Sequence, residues 1–180
     1  MLKKPINRES FEIETERLLL VPIDLKYDQD IFREFNEEIA QYMTPVAARD
    51  ISETHTFITV SLEKHEKQTD MYLIILKKDT KEFIGCIGLH KVNTNIPEFW
   101  IRTKKSSHGN KYGYEAVLWV YKRAQDNIEA ECIIYPVDHR NIASCKIPER
   151  LWWVTDWIIE IEETYDLKRK LEIIKYKILL

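Results

Sequence analysis

Glycine is scarce in this chain, with four among 180 residues. That scarcity leaves no Gly-x-x-x-x-Gly-Lys-Ser/Thr loop and no Gly-x-Gly-x-x-Gly turn, which excludes a P-loop and the dinucleotide fingerprint. Cysteine is rarer still. Cys86, Cys132 and Cys145 form no Cys-x-x-Cys, so no zinc spacing exists and a reducing compartment suits the chain. No apolar run is long enough to span a bilayer. Met1-Leu2-Lys3-Lys4-Pro5 carries charge with no apolar segment behind it, so no secretory signal is visible. No basic block stands out either. The 27 basic and 30 acidic residues are interleaved and sum to a net charge of -3, which disfavours nucleic acid as a partner. These absences describe a cytoplasmic protein with no membrane partner and no metal.

What is present fits one α/β domain. A hydrophobic content of 44% is enough for a sizeable single core. Residues 1–14 read as an arm and residues 15–180 as the domain. Arg17–Ile23 reads as a strand. Tyr27, Ile31, Phe32, Phe35 and Ile39 recur at helical spacing, so a helix is expected over 26–41. Asp50-x-x-Glu53 resembles a capping box for a second helix over 52–66. The uninterrupted run 71–76 is the pattern of a strand buried on both faces. Residues 83–89 form its return strand, where Gly85 and Gly88 mark a bulge or a close backbone approach. Strands over 97–103 and 131–137 flank a helix at 112–126. A short helix over 141–150 and a closing hairpin, 152–162 with 171–178, complete the order β-α-α-β-β-β-α-β-α-β-β. Short turns imply antiparallel pairing, and the crossover around 97–137 implies a parallel pair. The result is a mixed, mostly antiparallel sheet with splayed central parallel strands, where a ligand is expected. In the hairpin, Trp153, Trp157, Ile159 and Ile161 alternate as a core face. Trp152 and Trp153 should point in opposite directions, the outward ring narrowing an acceptor pocket or marking a homodimer contact.

The chain is organised around residues 104–116, Lys-Lys-Ser-Ser-His-Gly-Asn-Lys-Tyr-Gly-Tyr-Glu-Ala. A strand runs into a polar loop, and the loop opens a helix. A helix start presents unpaired N–H groups and the positive end of its dipole. Gly109 and Gly113 let a bulky anion reach those groups without meeting a Cβ. The stretch is a candidate phosphate cradle, against the plainer reading of a polar turn.

Three segments resemble the GNAT acetyltransferases, in the branch related to the ribosomal-protein N-acetyltransferases. They are Glu14-Thr-Glu-Arg-Leu-Leu-Leu20, His108-Gly-Asn-Lys-Tyr-Gly113 with Glu115-Ala116, and Tyr135-Pro-Val137 with Arg140-Asn-Ile-Ala-Ser144. The resemblance implies acetyl-CoA as co-substrate and a primary amine as acceptor, with no metal. It implies that the pyrophosphate sits on the backbone of His108, Gly109, Asn110, Lys111, Tyr112 and Gly113. The pantetheine arm would run along Ile101, Arg102 and Thr103, and Asn141 would bond to it. Ser144 would protonate the departing thiolate. The chain departs from the family pattern at Lys111, at Trp100 and at Trp152-Trp153, where glycine is usual, and places Pro148 inside the short helix.

Amide formation needs a proton acceptor, a stabilised carbonyl oxygen and a protonated leaving group. Glu98 is the candidate base, against a plain reading as an exposed strand carboxylate. Ser144 is the candidate acid, with Tyr135 second. Cys145 and His139 would suit a nucleophile pair, but nothing in the sequence brings them together. The alternative function is a GNAT-like module that binds CoA or a partner without turnover.

Overall fold

A computed structural model describes residues 2, 3, 5, 11–155 and 157–180. In chain order the elements are β1 (Ile13–Glu14), β2 (Leu18–Pro22), α1 (Asp28–Glu34), α2 (Glu37–Ala40), α3 (Ile51–Glu66), β3 (Met71–Lys77), β4 (Phe83–His90) and β5 (Glu98–Thr103). Then follow α4 (Tyr112–Asn127), β6 (Cys132–Asp138), α5 (Ile142–Arg150), β7 (Val154–Thr155), β8 (Glu160–Glu163) and β9 (Lys170–Leu179).

The apolar run at β3 decides the layering. Met71, Leu73 and Ile75 enter one core while Tyr72, Ile74 and Leu76 enter another, as a period of two requires of a strand covered on both sides. α4 closes the first core through Ala116, Val117, Val120 and Ala124. α1 and α3 close the second through Ile31 and Ile58. Each fully buried side chain of this size contributes about 1.5–3 kcal/mol, so these two faces carry most of the apolar stabilisation.

The sheet order is β1-β2-β3-β4-β5-β6-β9-β7, with β8 also paired to β9. Every pairing is antiparallel except β5 with β6. Those two strands share one register pair, Glu98 with Ile134, and then part. This is the mixed sheet with splayed parallel strands that the sequence predicts.

Four details differ from the expectation. The end of the predicted arm, Ile13–Glu14, pairs with β2 instead of leading in loosely; residues 1, 4 and 6–10 lie outside the described residues. The helix expected over 26–41 is broken at Phe35 and Asn36. Asn36 accepts a bond from the Ile39 N–H and restarts the chain as α2, so a local cap overrides the apolar period. The strand expected over 152–162 survives only as β7 and β8. Trp157 takes φ +59°, which no strand residue adopts; Asp156, within that expected strand, lies outside the described residues. Finally, only Trp153 of the supposed core stripe is buried; Trp157, Ile159 and Ile161 are 63%, 49% and 61% exposed. β8 pairs with β9 alone.

Candidate active site

The fork between β5 and β6 positions everything else. β6 pairs with β9 along its length, including Pro136 with Lys175. A proline is tolerated in a ladder only where its missing N–H would point away from the partner, so the blank position of Pro136 faces β5. Trp153 holds the fork from behind. Its buried ring lies 5.6 Å from Phe99 of β5, 6.3 Å from Tyr135 of β6 and 5.7 Å from Tyr121 of α4. The end of α5 delivers that ring. The Trp152 N–H donates to Glu149 O and the Trp153 N–H to Pro148 O, both at 3.1 Å. This is a Schellman turn with Trp152 left-handed at φ +60°. Trp152 is thrown outward, 88% exposed, and Trp153 inward, 5% exposed. The two rings point apart as expected, but a helix C-terminus produces this, not strand alternation.

The fork opens into a cleft of about 1380 Å³. At the open end the loop after β5 folds on itself: His108 Nε2 donates to Thr103 O at 3.1 Å, and Asn110 Nδ2 donates to Ser107 O at 3.2 Å and His108 O at 3.3 Å. Gly109 is left-handed at φ +81° and stands in open space. Its glycine is required by backbone conformation, not by crowding. Lys111 is also left-handed at φ +62°, and no side chain caps α4 behind it. The first N–H groups of α4, on Tyr112, Gly113 and Tyr114, therefore have no intrahelical acceptor. Gly113 lets this helix end lie close to its neighbours. A Cβ there would stand 3.2 Å from Ile147 Cδ1 and 3.6 Å from Ile101 Cδ1. Lys111, Lys146 and Arg150 line the cleft, and none has an ion-pair partner among the described residues.

Glu115 anchors the same helix end. It is 8% exposed and accepts from Thr15 Oγ1 at 2.6 Å, the Arg17 N–H at 2.9 Å and Arg17 Nε at 2.7 Å. Arg17 Nη1 also donates to Asn110 O at 3.1 Å, and its guanidinium lies 4.8 Å from the centre of the Tyr112 ring. Desolvation pushes the Glu115 carboxyl up, but the bonds from Thr15 and Arg17 outweigh it and hold the pKa below its usual value. Two of the segments quoted above are thus one network.

On the β6 wall, Tyr135 Oη and Ser144 Oγ lie 2.8 Å apart, joining the two candidate acids. Burial pushes the Tyr135 phenol far above its ordinary range, with the bond to Ser144 opposing. Asn141 caps α5, its side-chain oxygen accepting from the Ser144 N–H at 3.2 Å. Cys145 and His139 are not brought together. The buried thiol points at the main-chain oxygens of Asp138 and His139, at 3.9 and 3.8 Å, and burial pushes its pKa up. The His139 ring bonds to Glu172 at 2.8 Å.

The opposite wall is the face of β5 that looks toward α1 and α3. Alternation puts Glu98, Trp100 and Arg102 there. Glu98 accepts from Lys91 Nζ at 2.6 Å. Its cross-strand partner is His90, whose ring bonds to Asp70 and stacks on Trp100 with centroids 5.9 Å apart. Trp100 lies over Gly88, where a Cβ would come within 2.0 Å of its Nε1. Gly85 combines both expected roles, standing beside a register shift and under Arg102 O, which a Cβ would approach to 2.1 Å. Of the residues expected along the pantetheine arm, Ile101 faces α4 and the Arg102 side chain faces α1 and α3. No spacing in the sequence points to the aromatic group around His90. The signal for it was the hairpin register, which sets His90 opposite Glu98 and Gly88 opposite Trp100.

Residues 17–151 match the model of the acetyltransferase (GNAT) domain. The chain belongs to the GNAT acetyltransferase family. That match takes in the Arg17–Glu115 network, the α4 loop and the Tyr135–Ser144 wall of the GNAT domain. No curated protein sequence matches the chain. Solved GNAT structures share its fold over nearly their whole length. The microcin C7 self-immunity acetyltransferase, in complex with acetyl-CoA and AMP, is 14% identical with a TM-score of 0.81, covering 92% of this chain and 94% of its own. A GNAT-family acetyltransferase from Bacillus anthracis is 16% identical with a TM-score of 0.78, covering 94% and 98%. The acetyltransferase from Salmonella typhimurium that modifies the N-terminal serine of ribosomal protein L7/L12 is 12% identical with a TM-score of 0.77, covering 92% and 96%. Among the described residues, no helix is long and apolar enough to cross a membrane.

Proposed function

We propose that this chain moves an acetyl group from acetyl-CoA to a primary amine by direct attack in a ternary complex. The observation that carries the reading is the uncapped start of α4 at the open end of the β5–β6 fork, beside three cations that have no ion-pair partner among the described residues. Acetyl-CoA is an anion with an extended amide-bearing arm. The N–H groups from His108 to Gly113 suit its pyrophosphate, and the unladdered edge of β5 at Ile101, Arg102 and Thr103 suits the arm. The free amide N–H₂ of Asn141 suits the arm from the other side.

The amine nitrogen attacks the thioester carbonyl, forming the C–N bond, and the C–S bond breaks. The amine proton passes to Glu98, and the CoA sulfur takes a proton from Ser144, backed by Tyr135. A specific observation favours a second base. His90 sits opposite Glu98 and is oriented by Asp70, an arrangement suited to proton transfer. We place the enzyme in the cytoplasm, which suits three buried free thiols, and place any homodimer contact along the exposed hairpin beginning at Trp152.

Calorimetry with acetyl-CoA and a thiol-release assay over an amine panel test the reading. Glu98→Gln should lower kcat/KM by roughly 10²–10⁴-fold, less at high pH, where the amine deprotonates unaided. If Glu98→Gln keeps full turnover and His90→Gln loses it, the base is His90. Acetyl-CoA binding without turnover of any amine would leave a cofactor-binding module.

A further inference from the structure

Among the described residues Arg102 has no carboxylate partner; its cross-strand neighbour is the buried Cys86, whose thiol is the polar side chain it meets. Its guanidinium carbon lies 4.0 Å from the centre of the Phe35 ring, 4.8 Å from Phe57 and 5.5 Å from Trp100. One terminal nitrogen, Nη2, is buried with no hydrogen-bond partner, and so is Nε1 of Trp100 beside it. Four carboxylates on the elements around this face are already engaged: Glu34 with Arg33, Glu38 with Lys105, Glu98 with Lys91 and Asp70 with His90. Arg102 also lines the cleft, so part of its fork remains reachable.

A structural role alone would leave this arrangement unexplained. Aromatic faces attract a guanidinium, but they satisfy none of its N–H groups, and a buried donor left unpaired is costly. A guanidinium fork matches a carboxylate or a phosphate, with two parallel bonds. The aromatic walls keep the group desolvated and pointed, which strengthens any such bond.

We infer that the acceptor amine carries an anionic oxygen group, a carboxylate or a phosphate, which docks on Arg102. This rests on the reading of the fork as an acetyl-transfer site. The register also sets a length. Glu98 and Arg102 share one face four residues apart, roughly 13 Å along the strand. The amine at Glu98 and the anion at Arg102 therefore stand several bonds apart. The inference favours ω-amino acids or acidic peptides and disfavours diamines.

The test is direct binding to the CoA-saturated protein, with acetyl transfer measured in parallel. The probes are straight-chain ω-amino acids of four, six and eight carbons, their amides, 1,6-diaminohexane and 5-aminopentylphosphonate. At least one acid or the phosphonate should bind ten-fold or more tightly than its neutral or cationic counterpart. Arg102→Met, which keeps apolar volume among Phe35, Phe57 and Trp100, should abolish that preference. Arg102→Lys should keep part of it, and a cooperative thermal transition in both variants shows that they fold. The acid and phosphonate arms distinguish carboxylate from phosphate. If no anionic probe binds better than its counterpart, or if Arg102→Met retains the preference, the inference is wrong. If the preference holds but no amine is acetylated, the anion site stands and the transferase reading fails.

Discussion

Glu115→Gln separates shape from charge at the start of α4. Gln fills the same space, but its amide must turn an N–H₂ toward one of the two donor sets that the carboxylate accepted from, either Thr15 Oγ1 with the Arg17 N–H or Nε and Nη2 of the Arg17 guanidinium. A hydrogen bond to a charged group contributes about 1.5–3 kcal/mol. The Arg17 side chain is 44% exposed, so solvent screening cuts its share. Removing a negative charge from the first helical turn costs about 0.3–1 kcal/mol more. The expected loss is about 2–3 kcal/mol at neutral pH, read as a lower urea midpoint at unchanged slope. The pH dependence has a definite sign. The folded pKa of Glu115 lies below its unfolded value of 4.5. Its contribution is complete above that pH and is lost as pH falls through the folded value. Parent and variant should therefore converge in acid. Because Arg17 also holds Asn110 O, acetyl-CoA affinity should fall with stability, by roughly 3–10-fold, or about 0.7–1.4 kcal/mol. Equal stability at pH 7, or a gap that stays constant to pH 3, would refute the reasoning.

The adjacent tryptophans give a sharp contrast. Trp153→Ala should cost about 3–5 kcal/mol in chemical unfolding, whereas Trp152→Ala should stay within about 0.5 kcal/mol. Lys111 at φ +62° and Trp152 at φ +60° hold left-handed backbone, a conformation that favours glycine. Lys111→Gly and Trp152→Gly should each stabilise by about 0.5–1 kcal/mol, because relief of about 1–2 kcal/mol of strain exceeds the entropy that glycine adds to the unfolded chain. Differential scanning calorimetry would show each as a raised Tm. Gly109→Val should lower both stability and acetyl-CoA affinity through backbone strain, since the space around Gly109 is open; an unchanged isotherm would place the cradle elsewhere.

The sequence is most legible where one local rule governs. β3 reads correctly because double burial leaves no polar position to interrupt it. α3 starts where Asp50 and Glu53 predict, with Asp50 accepting from the Ser52 N–H and Glu53 from the Arg49 N–H. Legibility fails where a local bond defeats a period, as Asn36 does, or where backbone conformation does, as Trp157 does. In the candidate site, contacts between residues close in sequence are legible, and contacts that join residues across the fold are not. The α4 loop was legible from its strand, its glycines and its helix. The partnership of Thr15 and Arg17 with Glu115 spans about a hundred positions, and no spacing rule reaches that far. Ser144 and Tyr135 stand nine positions apart on different elements, and the fold makes them neighbours. The resemblance sets Arg102 along the pantetheine arm, and no local pattern shows that its side chain packs on Phe35 and Phe57 of the α1–α3 layer.

The fork also has a mechanical meaning. Along most of the sheet, hydrogen-bonded rungs hold neighbouring strands together; between β5 and β6 they stop after one register pair, and the Trp153 indole packs against both strands from one side. A pin leaves both strand edges bare where rungs would have consumed them. An extended amide-bearing molecule that slides into the gap can supply the missing rungs and so act as a temporary strand. The seam that is weakest in the empty sheet is then the one most strengthened by its occupant. Loading the cofactor should tighten the two halves of the molecule against each other, so that cohesion of the fold and occupancy of the site rise together.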